Sequence, residues 1–234
     1  MREQSIYQRA LGLLGIWLLI GLFPLFAAEK IAVIVKMKGD VRVTPKSSFK
    51  SAAAKKGQIL QDGDKLETSA DAFCAIKFLD DKSLMRIREN SVCTIEGKRD
   101  GGSITKNIFS EVGSFFFSLF QQPKNFTVTT PTSVASVKGT QFWVLQRLQS
   151  GETRYITTDG TVEVSNQAGK VLVRKGQTAV VLSRSSMPEV RLTRTGDIPP
   201  DLSGGAGAIR QLEFEFTDES GQKRVMRMQI EGQE

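Results

Sequence analysis

The stretch FTVTTPTSVASVKGTQFWV, residues 126–144, decides the reading of the chain. Phe126, Val128 and Thr130 fall on one face of a period-two segment, and Pro131 removes a ladder donor and ends it. Thr140 to Leu145 is again rich in β-favouring residues. Gly139 between them stands where the backbone must bend or approach a neighbour closely.

Outward from this stretch the sequence reads as strand, turn, strand. Residues 31–35, 39–43, 65–68, 72–79, 84–88 and 91–96 are short apolar-alternating segments, punctuated by turn signals such as Asp62-Gly63-Asp64 and Asp80-Asp81-Lys82-Ser83. No helix-period segment interrupts them, so the pattern predicts an all-β sandwich, barrel or solenoid. Residues 39–43 (GDVRV) followed by Gly57-Gln58 are echoed by residues 160–164 (GTVEV) followed by Gly176-Gln177. That echo predicts two equivalent turns of one strand-stacking architecture.

The central run resembles the signature of FecR-like (ferric citrate regulator) domains. Phe126, Val128, Thr130, Pro131, Ala135, Val137, Lys138, Gly139, Thr140, Phe142 and Val144 all match it. The resemblance extends over roughly residues 39–183, with residues 61–68 (QDGDKLET) and Gly176-Gln177-Thr178 similar to further family elements. Gln61 departs from the plainer glycine turn usual there. The resemblance implies an all-β domain of short strands stacked as a twisted solenoid-like or sandwich-like body. It also implies the role for which the family is named, a membrane-anchored regulator that relays an outer-membrane receptor signal to a cytoplasmic sigma factor.

Arg2 and Arg9 precede an uncharged run from Ala10 to Ala28, after which Glu29 and Lys30 restore polarity. This is the layout of a secretory signal, and the run is also long enough for an apolar helix that anchors in a bilayer. The expected organisation is a signal peptide or signal anchor at 1–28, a β domain at 30–186 and a linker at 187–210. A C-terminal β-hairpin is expected at 211–234, in which Leu212, Phe214 and Phe216 alternate with Glu213 and Glu215, and Met226, Met228 and Ile230 with Arg227 and Gln229. Export to the periplasm or cell envelope, with membrane contact only through an uncleaved leader, is the expectation from this layout.

An oxidising compartment invites a disulfide between Cys74 and Cys93, which share parity with Ile76 and Ile95 and would face one core from neighbouring strands. The other reading is two small buried hydrophobes. Net charge is +7, and Lys36, Lys38, Arg42, Lys46, Lys50, Lys55 and Lys56 crowd the first third. They form either a solubilising surface or a site for anionic envelope polymers. Nucleic acid is not expected, since few aromatics are interleaved among the basic residues.

The chain has no histidine, which removes the commonest general base and metal ligand. Asp62 with Asp64, and Asp80 with Asp81, stand in turns where backbone geometry favours acidic residues. Lys138-Gly139-Thr140 lacks the further glycines of a phosphate cradle and reads as a packing corner. No catalytic, metal or cofactor site is expected. Phe115, Phe117 and Leu119 share one strand face, so Phe116 and Phe120, with Trp143, are the candidate partner surface. Three functions remain: a non-enzymatic binding or scaffolding module with an envelope protein partner, the family's transducer, and a glycan-binding protein that uses Trp143.

Overall fold

The computed structural model of the chain describes residues 29–119, 126–137, 139–200, 210–217 and 223–230. The strands are β1 (Lys30–Lys38), β2 (Val41–Thr44), β3 (Ala52–Ala53), β4 (Ile59–Gln61), β5 (Asp64–Thr68), β6 (Phe73–Phe78), β7 (Leu84–Ile87), β8 (Ser91–Asp100) and β9 (Ser103–Ser118). Next come β10 (Phe126–Thr129), β11 (Val134–Val137), β12 (Gln141–Gln146), β13 (Thr153–Asp159), β14 (Thr161–Asn166), β15 (Gly169–Arg174), β16 (Gln177–Val181) and β17 (Glu189–Leu192). A 3₁₀ turn at Thr195–Asp197 precedes β18 (Arg210–Thr217) and β19 (Lys223–Ile230). The domain is all-β, as the alternation predicts.

Hydrogen bonding sorts the strands into two layers. The front layer runs β4-β1-β6-β7-β9-β12-β13-β16-β17. The back layer runs β3-β2-β5-β8-β9-β10-β11-β14-β15. Strand β9 belongs to both: residues 103–112 pair with β8 in the back, and residues 113–118 pair with β12 in the front. The change of layer falls at Gly113, whose φ of 116° no L residue adopts easily. One apolar core lies between the layers, where Phe126 of β10 meets Phe78 of β6 and Phe117 of β9 edge-on at 5.5 and 5.8 Å.

The sequence echo is a structural repeat. Strands β1 and β4 lie in the front layer with β2 and β3 behind them, and β13 and β16 lie in the front with β14 and β15 behind. Gly57 N–H donates to Ile34 O at 2.8 Å, and Gly176 N–H donates to Thr157 O at 2.8 Å. The glutamines act alike too: Gln58 Oε1 accepts from Lys55 N–H at 3.0 Å, and Gln177 Oε1 from Arg174 N–H at 2.8 Å. Gly39 and Gly160 have φ of 73° and 78°, and Gly57 and Gly176 of 83° and 77°, so the same left-handed turns are used twice.

Several expectations change. Cys74 is in β6 of the front layer and Cys93 in β8 of the back, not in neighbouring strands, and both are free buried thiols. Residues 187–210 do not begin as a linker: β17 pairs with β16, and the carboxylate of Asp197 in the turn after it accepts from Nη1 and Nη2 of Arg191 at 2.5 and 2.8 Å. Val190 and Leu192 alternate with charged neighbours over only four residues, too short a run to stand out beside the Gly and Pro residues further on. The apolar helix expected within residues 1–28, Phe120 and Lys138 lie outside the described residues. The hairpin at the C-terminus is present, with Leu212 opposite Met228 and Phe214 opposite Met226.

Burial of neutral acids in this core has a consequence at high pH. Desolvation pushes the Cys74 thiol from 9.0 up to about 12 and the Tyr155 phenol from 10.0 up to about 12, and it raises Cys93 as well. The unfolded chain releases these protons first. Stability is therefore full below about pH 9 and falls as pH rises towards 12. Denaturant midpoints measured from pH 7 to 11 should drop above pH 9 in the wild type and less steeply in Cys74→Ala, where Cys93 and Tyr155 still contribute; coincident curves would remove the Cys74 thiol from the explanation.

Candidate functional site

The signature residues converge on a corner of the back layer and its seam with the front. Phe126, Val128, Ala135, Val137, Phe142 and Val144 are all buried apolar residues of the core. Between them β10 turns into β11 through Thr130-Pro131-Thr132-Ser133, where Thr130 N–H donates to Ser133 O at 2.8 Å. The hydroxyls of this turn point inward. Thr130 Oγ1 lies 3.2 Å from Thr153 Oγ1, Thr132 Oγ1 lies 2.5 Å from the same atom, and Ser133 Oγ lies 3.0 Å from Tyr155 OH. Thr153 in turn donates to Gln146 Oε1.

This network ties the back-layer corner to β12 and β13 of the front layer. Each hydroxyl both donates and accepts, so a buried chain of them is self-satisfying in a way that single buried hydroxyls are not. Tyr155 is fully buried and its phenol is held neutral by desolvation, so it works here as a hydrogen-bonding brace. Thr153, Tyr155 and Gln146 were not legible as partners of the signature. Their parity in β12 and β13 marks them as inward-facing, and a polar residue at an inward position is the signal that could have found them.

Gly139 does bend the chain, with φ of 59°, but open space surrounds the position of its missing Cβ. The close approach belongs to Gly160, where a Cβ would stand 2.9 Å from Gly139 O. Thr140 closes the seam by donating from Oγ1 to Thr161 O at 3.1 Å. Gly139→Val should cost about 1–2 kcal/mol through its left-handed backbone alone, whereas Gly139→Asn should cost much less. Thermal melts of the two variants that coincide would exclude the backbone explanation.

A second buried polar cluster lies under β9. Lys106 is fully buried, and its Nζ sits 2.7 Å from Asp80 Oδ1, 2.6 Å from Asp81 Oδ2 and 5.3 Å from the centre of the Phe78 ring. The Asp80-Asp81 turn is thus more than a turn. Asp81 Oδ1 accepts from Ser83 N–H at 2.9 Å in the expected way, and Asp80 Oδ2 also accepts from Ile104 N–H at 3.0 Å. Asp62 and Asp64 keep to backbone roles, accepting from Gly97 N–H at 3.0 Å and Gln61 N–H at 2.8 Å, with Lys46 2.7 Å from Asp62.

Phe116 and Trp143 stand side by side on the outer face of the front layer, ring centres 5.1 Å apart, with the Arg86 guanidinium 5.4 Å from the Phe116 ring. Trp143 is only 6% exposed, so it offers no aromatic platform, and the expected Phe116-Trp143 surface is corrected on that point. Exposed apolar residues gather instead at the C-terminal end of the stack. Leu172 of β15 is 48% exposed, and on β17 Val190 is 37% and Leu192 77% exposed. Val190 is paired with Ala179, a core residue, so β17 turns its core-facing side to solvent. At the opposite end the edges are the two-residue β3 and three-residue β4, short in the manner of protected edges.

Residues 64–163, from β5 into β14, match the model of the FecR protein family. No curated protein matches the chain. Two crystal structures of a candidate anti-sigma factor from Parabacteroides distasonis ATCC 8503, at 2.50 and 1.65 Å resolution, are similar with TM-scores of 0.47 and 0.46 and 15% sequence identity. The similarity covers 55% of this chain and 59% of that one, and at this distance it carries no statement about function. The signature residues Phe126 to Val144 lie within the matched span, so the sequence resemblance and the family match fall on the same part of the chain.

Proposed function

We propose that this chain is a non-enzymatic, exported module of the bacterial cell envelope that binds a protein partner at the C-terminal end of its strand stack. The observation that carries this reading is the uncovered core-facing side of β17, with Val190 and Leu192 exposed beside the free edge of β15. An edge of that kind accepts an added strand, whose main chain supplies the hydrogen bonds and whose alternate side chains fill the apolar side. The outward residues Lys170 and Arg174 of β15 favour a strand that alternates apolar with acidic residues.

Photo-crosslinking residues placed at Leu172 and Leu192 in intact cells test this against Leu148, a leucine of the β12–β13 turn as exposed as Leu192. Adducts with one envelope protein from 172 and 192 and none from 148 are expected. Adducts from all three positions alike, or from none, would overturn the reading. A signalling regulator of the FecR type is the second reading, favoured by the family match over residues 64–163. It requires residues 1–28 to persist as an anchor, and N-terminal sequencing of the mature protein that begins near Glu29 would exclude it. Glycan binding through Trp143 loses its support with the burial of that residue.

A further inference from the structure

From β10 onward the chain lays down hairpins alternately in the two layers. Strands β10 and β11 pair in the back, β12 and β13 in the front, β14 and β15 in the back, and β16 and β17 in the front. Each new hairpin attaches by its first strand to the last strand of the previous hairpin in its layer: β14 to β11, and β16 to β13, both antiparallel. The next hairpin in the chain is β18–β19, which in the structure is its own two-stranded sheet.

We infer that β18–β19 is the next rung of the back layer, with β18 antiparallel to the free edge of β15 and the hairpin covering the core-facing side of β17. Four observations support this placement. Continuing the alternation assigns the hairpin to the back layer, and the attachment rule assigns β18 to β15. On the core-facing side of the front layer, Val190 and Leu192 of β17 are exposed where Ala179 and Val181 of β16 are fully buried. The register puts Leu212 opposite Met228 and Phe214 opposite Met226, with Phe216 opposite Arg224 and Ile230 opposite Arg210 at the ends of the row, so the middle of one side is an apolar block that a lone hairpin cannot bury. The remaining row of β18 carries Glu213 and Glu215, opposite in sign to the outward Lys170 and Arg174 of β15.

This inference rests on the binding reading above only for its consequence: the resident strand occupies the partner's place, and a partner of the same alternating chemistry must displace it.

The test uses the full chain, whose native thiols are buried. Leu172→Cys is combined with Glu213→Cys or Glu215→Cys, and Leu148→Cys with Glu213→Cys is the control. A disulfide within one chain in either of the first pairs and not in the control is expected. Disulfides only between chains would give the site to a second copy and overturn the placement. In parallel, Phe214→Asp should speed amide exchange in residues 169–174 by at least about tenfold; unchanged exchange would also overturn it. Photo-crosslinking from Leu172 separates the two readings. Partner adducts without the intrachain disulfide remove the cap and leave partner binding, whereas the disulfide with no partner adduct even in Phe214→Asp removes partner binding and leaves the cap.

Discussion

Lys106→Met is expected to lower the stability of the domain by about 3–5 kcal/mol, because it leaves the Asp80 and Asp81 carboxylates buried without a cation. Their side chains are 7% and 12% exposed, so water cannot replace the lost ammonium. The methionine keeps the volume and the contact with Phe78, which confines the loss to charge. Against a total stability of about 5–15 kcal/mol, a loss of this size is a large fraction of the whole. The triple variant Lys106→Met, Asp80→Asn, Asp81→Asn should recover much of it, since replacing an entire buried ionic group is often close to neutral. Urea unfolding of the three proteins measures this. A single variant within about 1 kcal/mol of the wild type would mean that the two carboxylates find other partners.

Gly113→Ala is expected to be nearly as damaging. A Cβ at this position would stand 2.1 Å from Ser91 Oγ and 2.5 Å from Ser91 Cα, at a φ of 116°. Backbone strain of about 1–2 kcal/mol adds to overpacking of about 1–3 kcal/mol. Ser91→Gly on top of Gly113→Ala should restore only part of the loss, since the backbone atom of residue 91 remains in the way. Ser91 also donates to Glu89 O and accepts from Ser114 N–H at 3.1 Å, so Ser91→Gly carries a cost of its own. Full recovery in the double variant, read as equal thermal midpoints, would show that β9 can shift to make room.

The strands that alternate cleanly were legible: β2, β5 and β14 stand where period-two burial put them, and the echo of residues 39–43 in 160–164 proved to be a repeat of position and hydrogen bonding. Assignment of a strand to a layer was not legible. Cys74 and Cys93 have the same inward parity whether their strands are neighbours or face each other across the core, and parity is all that a sequence displays. The length of β9 was hidden for a related reason: Lys106 and Ser110 are polar residues at inward positions, and only Asp80 and Asp81, far away in the chain, make the first of them acceptable there. In the corner, the sequence showed that Thr130 and Pro131 end a strand. It did not show that Thr153 and Tyr155 complete the hydroxyl network, because that contact depends on how β13 crosses behind the turn.

The alternation of hairpins between layers bears on how such a module can change its length. A single inserted strand would leave the chain at the opposite end of its layer, so that every later strand would run in the reverse direction. An inserted pair of hairpins, one for each layer, leaves the direction and the parity of all later strands unchanged. Growth or shrinkage of this architecture during evolution should therefore proceed in such paired units, with the new material entering at turns like that of Gly160 and with β9 kept as the fixed hinge between the halves.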